Sequence, residues 1–291
     1  MPQPRRAKRV IVNADDFGFS EGVTEGVLRA HREGIVTSTT IVANMPPAEA
    51  AVRRLAEAPS LGVGVHLNVS QGPPLSAAGE ALAGGDGVMN STAVQLLLAC
   101  TRRPRLIDAI EAECEAQIRW AIDRGVRPTH LDSHRHIHAF TPVFARVARL
   151  ARRYDIPFVR WHREVLAGGD WPSCPAKQRR ISLLTSLFGA LNAVVGPDLR
   201  ATQGTWGIAH TGGIDSRWLI RAARSARPGA TEIMTHPAAG RDLDASVTRL
   251  LESRRVELSA LCDPAVREAF EHYGIELVHY GQLARPRSEG R

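Results

Sequence analysis

Residues 9–44 read RVIVNADDFGFSEGVTEGVLRAHREGIVTSTTIVAN. RVIVNA (9–14) is a short apolar run suited to a buried strand. In the following SEGVTEGVLRAHREG, Val23, Val27 and His31 fall on one helical face, Ser20 is placed to cap the start, and Gly34 stops it. STTIVAN (38–44) reads as strand again.

The alternation continues along the chain. PPAEAAVRRLAEAP is a helix bracketed by prolines, GVGVHLN (62–68) a strand, and residues 106–124 a helix with Ile110, Cys114, Ile118 and Ile122 every fourth position. PTHLDSH (128–134) is the next strand. Thr141 as N-cap and Pro142 behind it open a helix whose apolar face is Val143, Val147, Leu150 and Tyr154. Then come PFVRW (157–161) as strand, 176–195 as helix, DSRWLIRAARSAR as helix and TEIMTH (231–236) as strand. Two helices over 242–272, split at Asp263-Pro264, and a late strand IELVHY (275–280) complete the series. Residues 70–91, rich in Gly, Pro and Ala, lack periodicity and predict a long loop and candidate lid. Residues 199–213 fit no clear pattern.

Strand–helix alternation implies right-handed βαβ units and a parallel sheet. About seven or eight strands over 291 residues favour an α/β barrel over an open sheet. We expect one domain over 1–291, with its core at about 8–282 between short basic tails.

Bulk composition narrows the function. At 44% hydrophobic and 23% charged the chain reads as globular. No run approaches the roughly 18 apolar residues of a membrane span, and no secretory signal opens it. Four scattered cysteines, none in a C-x-x-C pair, suggest a reducing compartment, so a cytoplasmic location is expected. A net charge of +7 could mean nucleic acid. The arginines, however, fall mostly on helix faces such as RVARLARRYD or in the tails, and aromatics are only 5%, so stacking on bases is not expected.

In a parallel barrel the working side chains stand at the C-terminal strand ends. Here those ends carry Asp15-Asp16, His66, His134 and His236. In THLDSHRHIH (129–138), His130, Asp132, His134, His136 and His138 recur at a spacing of two, which shares one face on a strand but not on a helix. Only the end of the strand reaches the mouth. His134 is therefore the best placed, while His136 and His138 flank the site or pack elsewhere. One carboxylate with two imidazoles is a mixed N/O set for a divalent ion, leaving open positions for water and substrate. A second carboxylate can then act as general base, and a histidine on another strand can protonate a leaving amine. These are the parts for amide hydrolysis. The same triad also occurs in non-haem Fe(II) oxygenases, but those enzymes are typically all-β, and the helix-rich alternation argues against one.

These segments, together with THLDSHRHIHAFTPVF and FVRWHRE, closely resemble the YdjC-like carbohydrate deacetylases, which include chitooligosaccharide deacetylases and a hopanoid-biosynthesis branch. The resemblance implies a distorted (β/α) TIM-like barrel related to the polysaccharide deacetylases. It implies one divalent ion held by Asp16, His66 and His134, zinc or magnesium first, with manganese, cobalt, nickel or iron as alternatives. Asp15 would be the catalytic base, His236 in MTHPA a further site residue assisting the amine, and Arg160 an orienting group for carboxylates or substrate. The implied substrate is an N-acetylated sugar or glycoconjugate, and a homodimer is compatible with it. Residues 73–100 and 164–213 match no family motif, which leaves the substrate rim undefined.

Overall fold

The computed structural model describes residues 7–164, 174–199, 202–243 and 245–284, so both basic tails lie largely outside the described residues. The chain runs β1 (Lys8–Phe17), α1 (Glu21–Arg32), β2 (Ser38–Ile41), α2 (Ala48–Arg54) and β3 (Gly62–Leu67). An excursion follows, holding β4 (Gln71–Gly72), β5 (Met89–Asn90) and α3 (Ala93–Arg102). Then come α4 (Leu106–Asp123), β6 (His130–Ser133), α5 (Thr141–Arg153), β7 (Phe158–Val159), α6 (Ala176–Val195), β8 (Thr205–Trp206) and α7 (Ser216–Ser225). The last elements are β9 (Gly229–Thr235), α8 (Glu252–Leu261), α9 (Pro264–His272), β10 (Ile275–Leu277) and α10 (Tyr280–Leu283).

The main sheet has the order β7-β6-β3-β2-β1-β9-β8 with every pair parallel. Since β9 covers one edge of β1 from Lys8 to Ala14, β10 and β2 share the other, β10 at Lys8–Val10 and β2 from Asn13 onward. Laid flat, β6 and β9 would stand four strand spacings apart, roughly 19 Å at about 4.8 Å each. Yet the Arg160 guanidinium reaches Asp132 on β6 at 2.9 Å and Glu232 on β9 at 2.8 Å. The sheet is therefore curled around an interior. Its seam between β7 and β8 is bridged by Thr205 Oγ1, which donates to the Trp161 carbonyl at 2.9 Å.

Alternation sorts the strand residues into two sets. Val10, Val12 and Ala14 of β1 face outward into the main core, with Val23 and Val27 of α1, Ile110 and Ile118 of α4, Val147 and Leu150 of α5 and Trp218 of α7. Ile11 faces inward and joins Phe158, Val278 and Tyr280 in a separate cluster that plugs the barrel floor. His130 stacks on Tyr280 there, centroids 4.0 Å apart. Above this floor the interior becomes polar.

Local signals account for several helix starts. Ser20 Oγ accepts from the Val23 N–H at 3.1 Å, as expected, which leaves Asp15 and Asp16 free of capping. Asp215 and Asp263 cap α7 and α9 likewise. Thr141 does not cap α5. The helix already includes it, and Phe140 holds the N-cap position because a tight 3-10 turn at His134–Ala139 delivers the chain directly into the first helical turn. The predicted helix from 242 begins only at Glu252, and the late strand stops at Leu277 before α10. The 70–91 segment is not an unstructured loop. Its β4–β5 hairpin is antiparallel, and the buried Glu113 carboxylate accepts from the Leu75 and Ser76 N–H groups and from Ser76 Oγ.

One helix lies against the rim through its small residues. A Cβ placed on Gly189 of α6 would sit 1.8 Å from the His162 carbonyl oxygen. Gly189→Ala should therefore destabilise the fold by about 1–3 kcal/mol or more, because backbone cannot yield as a side chain can. Denaturant titration against the native chain measures it, and an unchanged midpoint would contradict this packing.

Candidate active site

Consecutive strand residues point to opposite faces, so one regular strand cannot aim both Asp15 and Asp16 inward. β1 does so through a bulge. Ala14 pairs with Thr39 and Phe17 with Ile41, three residues advancing against two, and Asp16 takes φ +71°. A short polar side chain tolerates this left-handed conformation better than most. Phe17 thereby returns to the outer core, while both carboxylates stay in the barrel mouth.

Each carboxylate has its own cation. Asp15 receives Arg160 Nη1 at 2.7 Å and Nη2 at 2.6 Å. Asp16 Oδ2 receives Arg254 Nη2 from α8 at 2.5 Å. Asp16 Oδ1 faces His66 Nε2 at 3.3 Å and His134 Nδ1 at 3.2 Å. Behind His66 lies Asp132, whose Oδ1 accepts from His66 Nδ1 at 2.8 Å and whose Oδ2 accepts from Thr40 Oγ1 at 3.0 Å. Donor atoms of Asp16, His66 and His134 all lie within 4.8 Å of one another. A second group, Asp15, His66 and Asp132, meets the same distance criterion. Arg160 Nη2 already bonds both carboxylates of that group, at 2.6 and 2.9 Å, so a fixed positive charge occupies the space between them.

Burial and neighbours set the charge states. Burial disfavours the charged form of Asp15 and Asp16 most, but Arg160 with His66 and His236 at Asp15, and Arg254 with His134 and His66 at Asp16, together outweigh it, so both stay below the ordinary carboxylate range. Burial also disfavours charge on His66, yet the Asp132 carboxylate raises the imidazole to about 10. His236 has no such partner. Burial lowers it to about 4, and its buried Nδ1 makes no hydrogen bond among the described residues. Its backbone N–H donates to Glu257 Oε2 at 2.6 Å.

Burial pushes that Glu257 carboxyl up to about 7. The folded chain thus favours its protonated form. Stability present below the unfolded value is lost as pH climbs through about 7. Melts recorded in chelator should show that loss between about pH 5 and 8, and Glu257→Gln should flatten it. An equally steep profile in the variant would refute the assignment.

Asp15, Asp16, His66, His134 and His236 come together at the mouth, all buried except the partly exposed His134. Arg160 is wholly buried, and its guanidinium bonds the carboxylates of Asp15, Asp132 and Glu232. The period-two run breaks after His134, because Arg135 and His136 both adopt φ +56°. His138 turns inward to Ser133 Oγ at 2.5 Å, and His136 Nδ1 meets His162 Nε2 at 3.2 Å. Neither reaches the Asp16 group. Arg254, Asp132 and Glu232 carried no role in the sequence reading. Glu232 offered a signal, an acid inside a buried strand, whereas Arg254 lies in SRRVELSAL (253–261), a stretch that resembles the family only weakly and assigns it no role.

Comparisons with known proteins agree with this geometry. The YdjC-like protein family profile matches residues 9–272. A carbohydrate deacetylase of Brevibacillus brevis is 32% identical over 277 residues, covering 94% of this chain and 99% of that one. A chitooligosaccharide deacetylase of Proteus mirabilis is 29% identical over 290 residues, covering 95% and 99%. A crystal structure of an Enterococcus faecalis protein, provisionally described as a cellobiose-phosphate cleavage protein, superposes with a TM-score of 0.76 at 25% identity over 96% of this chain and all of that one. With the family profile spanning nearly its whole described length, and with relatives of the same size, this chain belongs to the YdjC-like family.

Proposed function

We propose that the protein is a metal-dependent deacetylase that hydrolyses the acetamide of an N-acetylated sugar, such as a chitooligosaccharide or another N-acetylglucosamine conjugate. The observation that carries this reading is the convergence of the Asp16, His66 and His134 donor atoms beside Asp15.

The donor set fits a divalent ion on chemical grounds. Asp132 can only accept, so it fixes the proton of neutral His66 on Nδ1 and turns the Nε2 lone pair toward Asp16 Oδ1. A lone pair facing a carboxylate oxygen at 3.3 Å requires a cation between them, and in the bare protein an extra proton on His66 plays that part. Zinc and magnesium are the first candidates, and two imidazoles with one carboxylate favour zinc. Such an ion, when bound, acidifies water and polarises a carbonyl oxygen. Asp15 takes up the proton of the attacking water, held in place by both Arg160 nitrogens. His236 enters as a neutral imidazole, takes over the proton that Asp15 accepted from the water and passes it to the departing amine, which leaves Asp15 ionised again for the next cycle. The chain acts as a single domain, and its free cysteines fit the cytoplasm.

Acetate release from N-acetylglucosamine, its oligomers and nucleotide-linked forms, with metal analysis of the same sample, tests the reading. Loss of acetate release on chelation and its return with one divalent ion per chain is the expected result; release indifferent to chelator would overturn it. A finer test is Asp132→Asn. Loss of the carboxylate behind His66 should weaken metal affinity by about 10–100-fold, measured by competition with a chromophoric chelator.

A further inference from the structure

α6 is inverted relative to an ordinary surface helix. Its buried positions are Ser182, Thr185, Gly189 and Asn192, while Leu183, Leu187, Leu191 and Val194 are 59%, 60%, 53% and 85% exposed. Leu184 adds a further 56%. From Ile181 to Val195 there is no charged residue, and just before this run stand Lys177 and Arg180, both exposed. The polar face is used up on the barrel rim. Ser182 Oγ donates to Glu164 Oε2 at 2.5 Å, and Asn192 Nδ2 donates to the Ala139 carbonyl at 2.8 Å. The leucines therefore point away from the site-bearing turn His134–Ala139.

α3 repeats the pattern on the same turn. It packs against His134–Ala139, exposes Val94 and Leu98 at 66% and 48%, contains no acid and leads into exposed Arg102, Arg103 and Arg105. Exposed apolar patches of this kind mark interaction surfaces. An apolar helix face that carries no acid of its own and has lysine and arginine beside it matches the interface of a bilayer with anionic headgroups.

We propose that the exposed α6 and α3 faces dock the protein onto an anionic phospholipid surface. The leucines enter the headgroup–acyl boundary and the flanking arginines and lysine pair with phosphates. Charge decides between occupants. A second copy of this chain would bring its own cations, with no acidic residue on either helix to meet them, whereas the cytoplasmic leaflet supplies negative charge. No helix among the described residues is long and apolar enough to cross a membrane, so the contact is peripheral.

Flotation of the full chain with phosphatidylcholine vesicles, with and without phosphatidylglycerol, tests this. The native chain should float with anionic vesicles, less so at high salt, and Leu187→Asp/Leu191→Asp should cut the bound fraction about tenfold while leaving acetate release from a soluble substrate unchanged. Should that variant misfold, Lys177→Glu/Arg180→Glu should weaken binding to anionic vesicles alone. A native chain that stays in solution with anionic vesicles overturns the proposal. So does light scattering that finds a dimer which the leucine variant dissociates, because the face would then belong to a second copy.

Discussion

Asp15→Asn should keep its metal and lose acetate release by about 10²–10⁴-fold in kcat, the range expected when a positioned proton acceptor is removed. Asparagine preserves the volume, and its one acceptor oxygen keeps one of the two bonds from Arg160, which retains Asp132 and Glu232 as partners. Asp16, His66 and His134 are untouched, and metal analysis should still give one ion per chain. Because Arg160 holds Asp15 well below the ordinary carboxylate range, Asp15 is ionised wherever the protein is folded. Its own titration therefore does not set the acid limb of the pH profile. Full activity in the variant would remove Asp15 from the mechanism, and loss of metal would make it a ligand instead.

Arg160→Met should produce the largest loss of stability. The side chain has no exposure and bonds Asp15, Asp132 and Glu232 at 2.6, 2.9 and 2.8 Å. Removing it leaves three carboxylates facing one another in a dry interior. Stripping the partner from a buried charge costs roughly 3–5 kcal/mol, and at about 2–4 °C per kcal/mol the melting temperature should drop by on the order of 10 °C. Part of that loss should be relieved in acid. Burial already pushes Glu232 above the ordinary glutamate value despite Arg160, so without the guanidinium it protonates more readily. The deficit should thus be smaller near pH 5 than near pH 8. Arg160→Lys cannot span three carboxylates with one ammonium and should recover little. An unchanged melt would mean that the guanidinium is not what holds these charges.

The parts of this architecture that were legible in the sequence are those set by periodicity. β1, α1, α4 and α6 are close to their sequence readings, and the four strand ends that bear Asp15-Asp16, His66, His134 and His236 meet at one mouth. What periodicity could not reveal depends on long-range charge. Arg254 is 238 positions from the carboxylate it holds, and no local pattern separates it from the solvated arginines around it. The turn at Arg135-His136 was hidden for a different reason. Two successive left-handed residues carry no glycine signal, so the period of two runs on in the sequence through His138 where the backbone has already folded back.

The bulge at Asp16 acts on the pleat as a frameshift acts on a message: everything after it is read out of phase with everything before. Shortening the Ala14–Phe17 stretch by one residue would restore the regular repeat. Phe17 would still face the outer core, but only one acidic group would be left in the catalytic cavity, the other having been deleted or turned toward the surrounding helices. Changes of identity at these positions and changes of length should therefore have very different tolerances. A designer grafting this acid pair onto another barrel must transplant the surplus residue with it, not merely two letters.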